Sequence, residues 1–269
     1  MDTVRCEGIN KNGKQCKLNA VTDSEFCKKH KKDEDSKLWK YDGKCITITF
    51  SDVVENGVGM EKIGNNSKKL GEKFTPEYLK ELSNKYVDSE IVDLRLRTKY
   101  IPEGLTRNDV DEACILVIRN FCDLINESDN SIENDSSVKS DSSAVESDTC
   151  LADNILNELL SKTWDSKAIF RGQVKNKNAR HNLCFADRSQ KPKYEEGKGT
   201  IVNFKNLPHL SKAREKLNDL LPSPFTLYAE GNLYYDISKT YIGLHGDTER
   251  NVVIGLRLGD QIPLHYDVN

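Results

Sequence analysis

The chain contains no apolar run approaching the ~18 residues that a membrane-spanning helix needs, and no apolar leader follows Met1. The first residues are polar and lysine-rich instead, so neither a membrane protein nor a secreted one is expected. Strong net charge is missing too. Lys and Arg number 40 and Asp and Glu 43, a formal charge of −3, which gives no global attraction to nucleic acid. No internal repeat of fixed period is visible. What remains is a polar chain of 269 residues, 36% hydrophobic and 31% charged, long enough for two modest domains. Its eight Cys would suit a disulfide framework in an exported protein. Without an export signal, and with several cysteines on apolar faces, they read as reduced side chains in an intracellular setting.

Charge is unevenly placed. Residues 1–40 hold ten Lys and Arg against seven Asp and Glu. Residues 126–150 hold seven acids against one Lys, with five apolar residues in 25. The second stretch is too poor in apolar groups to offset its ordering entropy and is expected to be a linker or loop tip. Within the first, Cys6, Cys16, Cys27 and His30 are spaced C-x9-C-x10-C-x2-H. Three thiolates and an imidazole are a tetrahedral structural zinc set, and a segment of this size holds no core without metal. A zinc-binding module over 1–32 is therefore expected, followed by a short linker at 33–37. Its lysines suit nucleic acid, an acidic protein face or plain solvent equally.

Residues 38–125 read as an α+β module of unassigned role. Lys44–Phe50 alternates as a half-buried strand, Thr75-Pro76 starts a helix, and Glu90–Leu96 is a strand. The spacing of Cys114, Val117, Ile118, Phe121, Cys122 and Ile125 predicts a helix over Thr106–Asn126, with Thr106 and Asp109 at its start. Beyond the acidic stretch, Leu151–Leu160 is an amphipathic helix with Trp164 beneath it. From Arg171 the pattern is β-rich, with a helix around Ser211–Leu221, as in one lobe of a jelly roll. The fold class expected is α+β: a zinc-stapled N-terminal module, an α+β middle and a partial jelly-roll lobe over 151–269.

Chemistry concentrates near the C-terminus. His245-Gly246-Asp247 lies between two strand-like runs, Phe225–Ile237 and Asn251–Gly259. A neutral imidazole and a carboxylate at this spacing supply two corners of a 2-His-1-carboxylate Fe(II) site; the same residues also suit a turn or a surface hydrogen bond. Asn232-x-Tyr234, His245-x-Asp247 and Arg257-Leu258-Gly259 together resemble the AlkB-like branch of the 2-oxoglutarate/Fe(II) dioxygenases over roughly 165–269. Ala179–Phe185, Gly197–Gly199 and Pro263–Tyr266 are similar to the pattern in large-DNA-virus members, so host cytoplasm or virion is the implied location. Short Cys/His modules like that of residues 1–32 are also found in giant-virus proteins.

The resemblance implies a partial double-stranded β-helix. It also implies iron at His245 and Asp247, and 2-oxoglutarate at Asn232 and Tyr234. Its substrates are N-alkylated bases or protein side chains. It further places a second iron-binding His and an oxo-acid-binding Arg several strands after His-x-Asp, whereas only 22 residues follow Asp247. His265 is not expected to be the distal ligand, and His181 and His209 precede the motif. An incomplete or inactive oxygenase-like protein is therefore expected. The alternatives are a non-catalytic zinc-containing scaffold and an oxygenase whose missing ligand comes from another chain.

Overall fold

A computed structural model of the chain describes residues 5–6, 15–19, 27, 43–57, 59–94, 106, 112–130 and 150–265. The chain divides into two units, Met1–Asp42 and Gly43–Asn269. In the larger unit the first strand, β1 (Cys45–Ser51), alternates as its sequence does. Ile46, Ile48 and Phe50 are fully buried on one face, while Cys45, Thr47, Thr49 and Ser51 point to the other. A two-stranded ribbon follows, β2 (Val53–Glu55) with β3 (Lys62–Gly64). Next come α1 (Lys68–Gly71) and α2 (Pro76–Ser83). Thr75 caps α2, accepting from Tyr78 N at 3.2 Å, and Pro76 takes the first turn, where no N–H is needed.

β4 (Ser89–Asp93) pairs antiparallel with β5 (Cys114–Ile118). Two helices, α3 (Phe121–Asn130) and α4 (Leu151–Leu160), come next. They precede the hairpin of β6 (Lys167–Phe170) and β7 (Gln173–Asn176). The remaining elements are β8 (His181–Ala186), β9 (Ile201–Asn203), α5 (Pro208–Asp219), β10 (Tyr228–Tyr234) and β11 (Ile254–Gly259). The main sheet runs β11-β1-β10-β8-β9, antiparallel except for the β8–β9 pair.

One face of this sheet is apolar. Ile46, Ile48, Phe50, Leu183, Phe185, Ala229 and Leu258 meet Ile125 of α3, Leu151, Ile155 and Leu159 of α4, and Leu210, Ala213 and Leu217 of α5. Each fully buried aliphatic side chain here contributes about 1.5–3 kcal/mol. Trp164 lies against Gly231, where a Cβ would come within 2.7 Å of the indole, and its Nε1 donates to Leu159 O at 3.0 Å.

The structure is thus α+β, as expected. It differs in two elements of the sequence reading. The helix expected over Thr106–Asn126 is a strand followed by a later helix. Cys114–Ile118 is a continuous apolar run with three β-branched residues, which pairing with β4 captures as a strand. Asn120, at φ 53°, turns the chain before α3 starts at Phe121. Cys122 and Ile125 still enter the core. The division into a middle module and a separate C-terminal domain also changes. β1 lies between β10 and β11, so residues from both expected domains share one sheet. The linker expected at 33–37 lies outside the described residues, as do residues 131–149 of the one expected at 126–150, whose first five residues instead continue α3.

Candidate functional site

The other face of the sheet is polar. Arg257, Thr47, Asn232 and Asn182 stand opposite one another on β11, β1, β10 and β8, forming one row across four strands. Thr49, Glu230 and Cys184 form the next row, and Cys45 and Tyr234 flank the first on its other side. Asn232 and Asn182 are nearly inaccessible, so their amides need internal partners. Asn232 Oδ1 accepts from Arg180 Nε at 2.7 Å and from Asn182 Nδ2 at 2.6 Å.

Lys177 continues this network. Its Nζ donates to Asn182 Oδ1 at 2.9 Å, Asn56 Oδ1 at 2.7 Å and Asn56 O at 2.9 Å. Asn56 Nδ2 donates in turn to Asp165 Oδ2 at 2.7 Å. Asp165 also accepts from Tyr194 OH at 2.8 Å, Thr200 Oγ1 at 2.7 Å and Thr200 N at 2.7 Å. Burial lowers the Lys177 pKa to about 8, against the opposing charge of Asp165. Burial raises the Tyr234 phenol, against Arg180 and a hydrogen bond with Thr47.

The loop between β10 and β11 carries His245 and Asp247. Its start is tied to the β7–β8 connection by Tyr241 N donating to Ala179 O at 3.0 Å. Its end is held by Asp52, which accepts from Asn251 N at 3.0 Å, Asn251 Nδ2 at 2.8 Å and Ser67 N at 2.7 Å. Arg250 is buried and donates to Glu249 at 2.8 Å and to Glu230 of β10 at 3.3 Å. His245 Nε2 lies 3.6 Å from Asp247 Oδ1. Its Nδ1 lies 2.7 Å from Gly243 O; a carbonyl only accepts, so Nδ1 carries the hydrogen. The loop therefore places the two motif residues side by side, half-exposed, with Nε2 turned toward the carboxylate.

This pair does not fit a complete iron triad. It offers one imidazole and one carboxylate, and the other Asp247 oxygen faces Arg250 Nε at 3.8 Å. Among the described residues, the one group of three or more His, Cys, Asp or Glu side chains close enough to share an ion is Cys6, Cys16 and Cys27. His181 stacks on Tyr235 with ring centroids 4.5 Å apart, and burial followed by the charge of Lys177 lowers its pKa. His209 begins α5, where its N–H donates to Glu158 at 3.2 Å. His265 is exposed.

The cysteines are different. Cys6, Cys16 and Cys27 are buried, and their sulfurs all lie within 4.8 Å of one another. Cys16 and Cys27 are 3.9 Å apart; sulfurs at tetrahedral corners, about 2.3 Å from zinc, would be roughly 3.8 Å apart. Leu18 N donates to Cys16 Sγ at 3.5 Å, holding that thiol, and Cys6 N donates to Leu18 O at 3.0 Å, holding the backbone that carries Cys6. This donor set can hold a metal ion such as zinc. His30, the fourth expected ligand, lies outside the described residues.

The chain is 36% identical over 221 residues to an uncharacterized protein of Acanthamoeba polyphaga mimivirus. The match covers 82% of this chain and 76% of that protein. The chain belongs to the same family as that mimivirus protein. Most of the match falls in Gly43–Asn269, since the other unit has only 42 residues. No protein-family model matches the chain, and no solved structure matches it.

In this member of the mimivirus protein's family, the structure joins residues that no motif connects. Lys177, Asp165 and Asn56 come from three separate segments and meet beside the Asn182–Asn232 row. The alternation Glu230, Asn232, Tyr234 on β10 was a legible sign that this face is polar. Nothing local marked Asn56 or Asp165 as partners of Lys177, because their meeting depends on sheet register.

Proposed function

We propose that this protein is a catalytically incomplete member of the AlkB-like 2-oxoglutarate/Fe(II) oxygenases, built on a partial jelly roll. Support for the fold comes from a largely antiparallel sheet with helices on one face and a polar row on the other. The observation that carries the functional reading is the His245–Asp247 pair at 3.6 Å with no third donor grouped with it among the described residues. Asn232 and Tyr234 lie on the same polar face, with the Asn232 carbonyl already engaged by Arg180 and Asn182. In a complete enzyme, iron supplies O₂ activation coupled to oxidation of the oxo acid. Here two ligands and a nearby guanidinium leave iron weakly held.

The purified chain, given Fe(II), ascorbate and 2-oxoglutarate, should form no succinate above the level of its His245→Ala variant. Turnover that His245→Ala abolishes overturns this reading, and mutation of His265 and then His181 would locate the missing ligand.

A second reading concerns the smaller unit and rests on the thiol cluster. Cys6, Cys16, Cys27 and His30 bind one structural zinc ion, which makes residues 1–32 a closed, non-catalytic binding module. Protein purified without a metal-binding tag should carry one equivalent of zinc.

A further inference from the structure

The hairpin of β6 and β7 has no role in the oxygenase-like reading, and its chemistry is distinctive. Residues 166–181 contain five Lys and Arg and no Asp or Glu. Its two-residue turn, Arg171-Gly172, has φ of 52° and 74°, the paired positive values of a tight hairpin that continues the strand twist. The register places Phe170 opposite Gln173 and Ala168 opposite Lys175, so these four share one face, while Ile169 and Val174 share the other. Ile169 lies beside Gly197, which turns the Phe170 face outward. Phe170 is 51% exposed. Arg171 Cζ lies 5.3 Å and Lys175 Nζ 5.6 Å from its ring centroid.

An exposed ring flanked by cations, on a ribbon free of acids, matches a polyanion that also offers flat π faces. Glu196 of the neighbouring turn does not cancel the charge, being paired with Lys193 at 3.2 Å and Lys198 at 3.0 Å. A lipid surface fits less well. The tip is Arg171-Gly172, and the exposed apolar side chains Phe170 and Val174 sit on opposite faces, so no apolar tip exists to insert. A duplex would hide its base faces from Phe170.

We propose that the outward face of this hairpin docks single-stranded nucleic acid, with Phe170 as the stacking platform and Arg171 and Lys175 as phosphate contacts. None of these residues belongs to the His245–Asp247 loop or to the cysteine cluster, so the proposal stands or falls apart from the readings above.

The test is fluorescence anisotropy of the full chain with labelled oligothymidine. Phe170→Ala should weaken binding on the order of tenfold, as loss of one base–aromatic stack does. Lys175→Glu should weaken it and flatten the salt dependence by about 0.7 in log Kd against log salt. Lys69→Glu, an equal charge change on exposed α1, should leave binding unchanged. Three results would overturn the proposal. One is no binding by the wild type. Another is binding that survives both hairpin variants but is lost in Cys16→Ser, which moves the surface to the smaller unit. The third is capture by phosphatidylserine vesicles with no affinity for oligothymidine.

Discussion

Lys177 has its titration set by surroundings that its neighbours in sequence do not reveal. An unfolded lysine keeps its proton to about pH 10.4, whereas the buried Lys177 releases it near 8. Between these values the unfolded chain binds more protons than the native one, so stability rises with pH across that window. Below pH 8 both states are protonated and the dependence vanishes. Urea midpoints of the wild type should therefore increase from pH 8 to 10 relative to those of Lys177→Met, and a flat difference would reject the shift. At pH 7 the same variant leaves the Asn56 and Asn182 oxygens without their donor and should cost about 1–3 kcal/mol. Cys16 belongs at this scale too. Cys16→Ser replaces a soft ligand of the cluster, and on the proposed zinc reading the purified variant should carry no zinc by metal analysis where the wild type carries one equivalent.

At the scale of elements, two contacts decide how helices meet the sheet. Gly231 lets Trp164 reach the middle strand. A Cβ there would sit 2.7 Å from the indole, so Gly231→Ala should destabilise by about 1–3 kcal/mol through overpacking. A thermal melt would read this as a lowered midpoint, and an unchanged one would contradict the contact. Glu158 of α4 accepts from the first free amides of α5, His209 N at 3.2 Å and Leu210 N at 3.0 Å. Leu207, at the cap position, offers no side-chain oxygen. Glu158→Ala thus removes a charged cap and should cost about 0.5–2 kcal/mol, with Glu158→Gln recovering part of it. A denaturant titration of the three proteins separates charge from geometry. The elements most legible in the sequence are those with strong local patterns. Leu151–Leu160 is a helix over the span its apolar spacing gave, and Lys44–Phe50 falls within one residue of β1. Cys114–Ile118 was not legible as a strand, because a short apolar run satisfies both periods and only β4 resolves it.

On the scale of the whole molecule, β1 is the strand on which the larger unit depends. It joins β10 to β11 through seven and six aligned residues respectively, and contributes Ile46, Ile48 and Phe50 to the core. A fragment of residues 151–269 would keep the motif residues but lose the strand between their supporting strands. It should remain unfolded or aggregate, whereas residues 43–269 should fold, as judged by amide dispersion and a cooperative melt. A folded 151–269 fragment would restore the two-domain organisation expected from composition.

The sequence by itself determined the local periods, the helix starts at Thr75-Pro76 and Leu151, the cysteine spacing and the adjacency of His245 to Asp247. Each of these is carried by residues a few positions apart, where backbone geometry alone dictates which side chains share a face. Tertiary structure decided the rest. It set β1 between β10 and β11, assembled Lys177 with Asn56, Asn182 and Asp165, and turned Arg250 toward Asp247 and Glu230. The meeting of Asn56 with Asp165 and Lys177 spans 109 and 121 residues, and β1 pairs with strands farther still along the chain; no local pattern of hydrophobicity encodes such contacts.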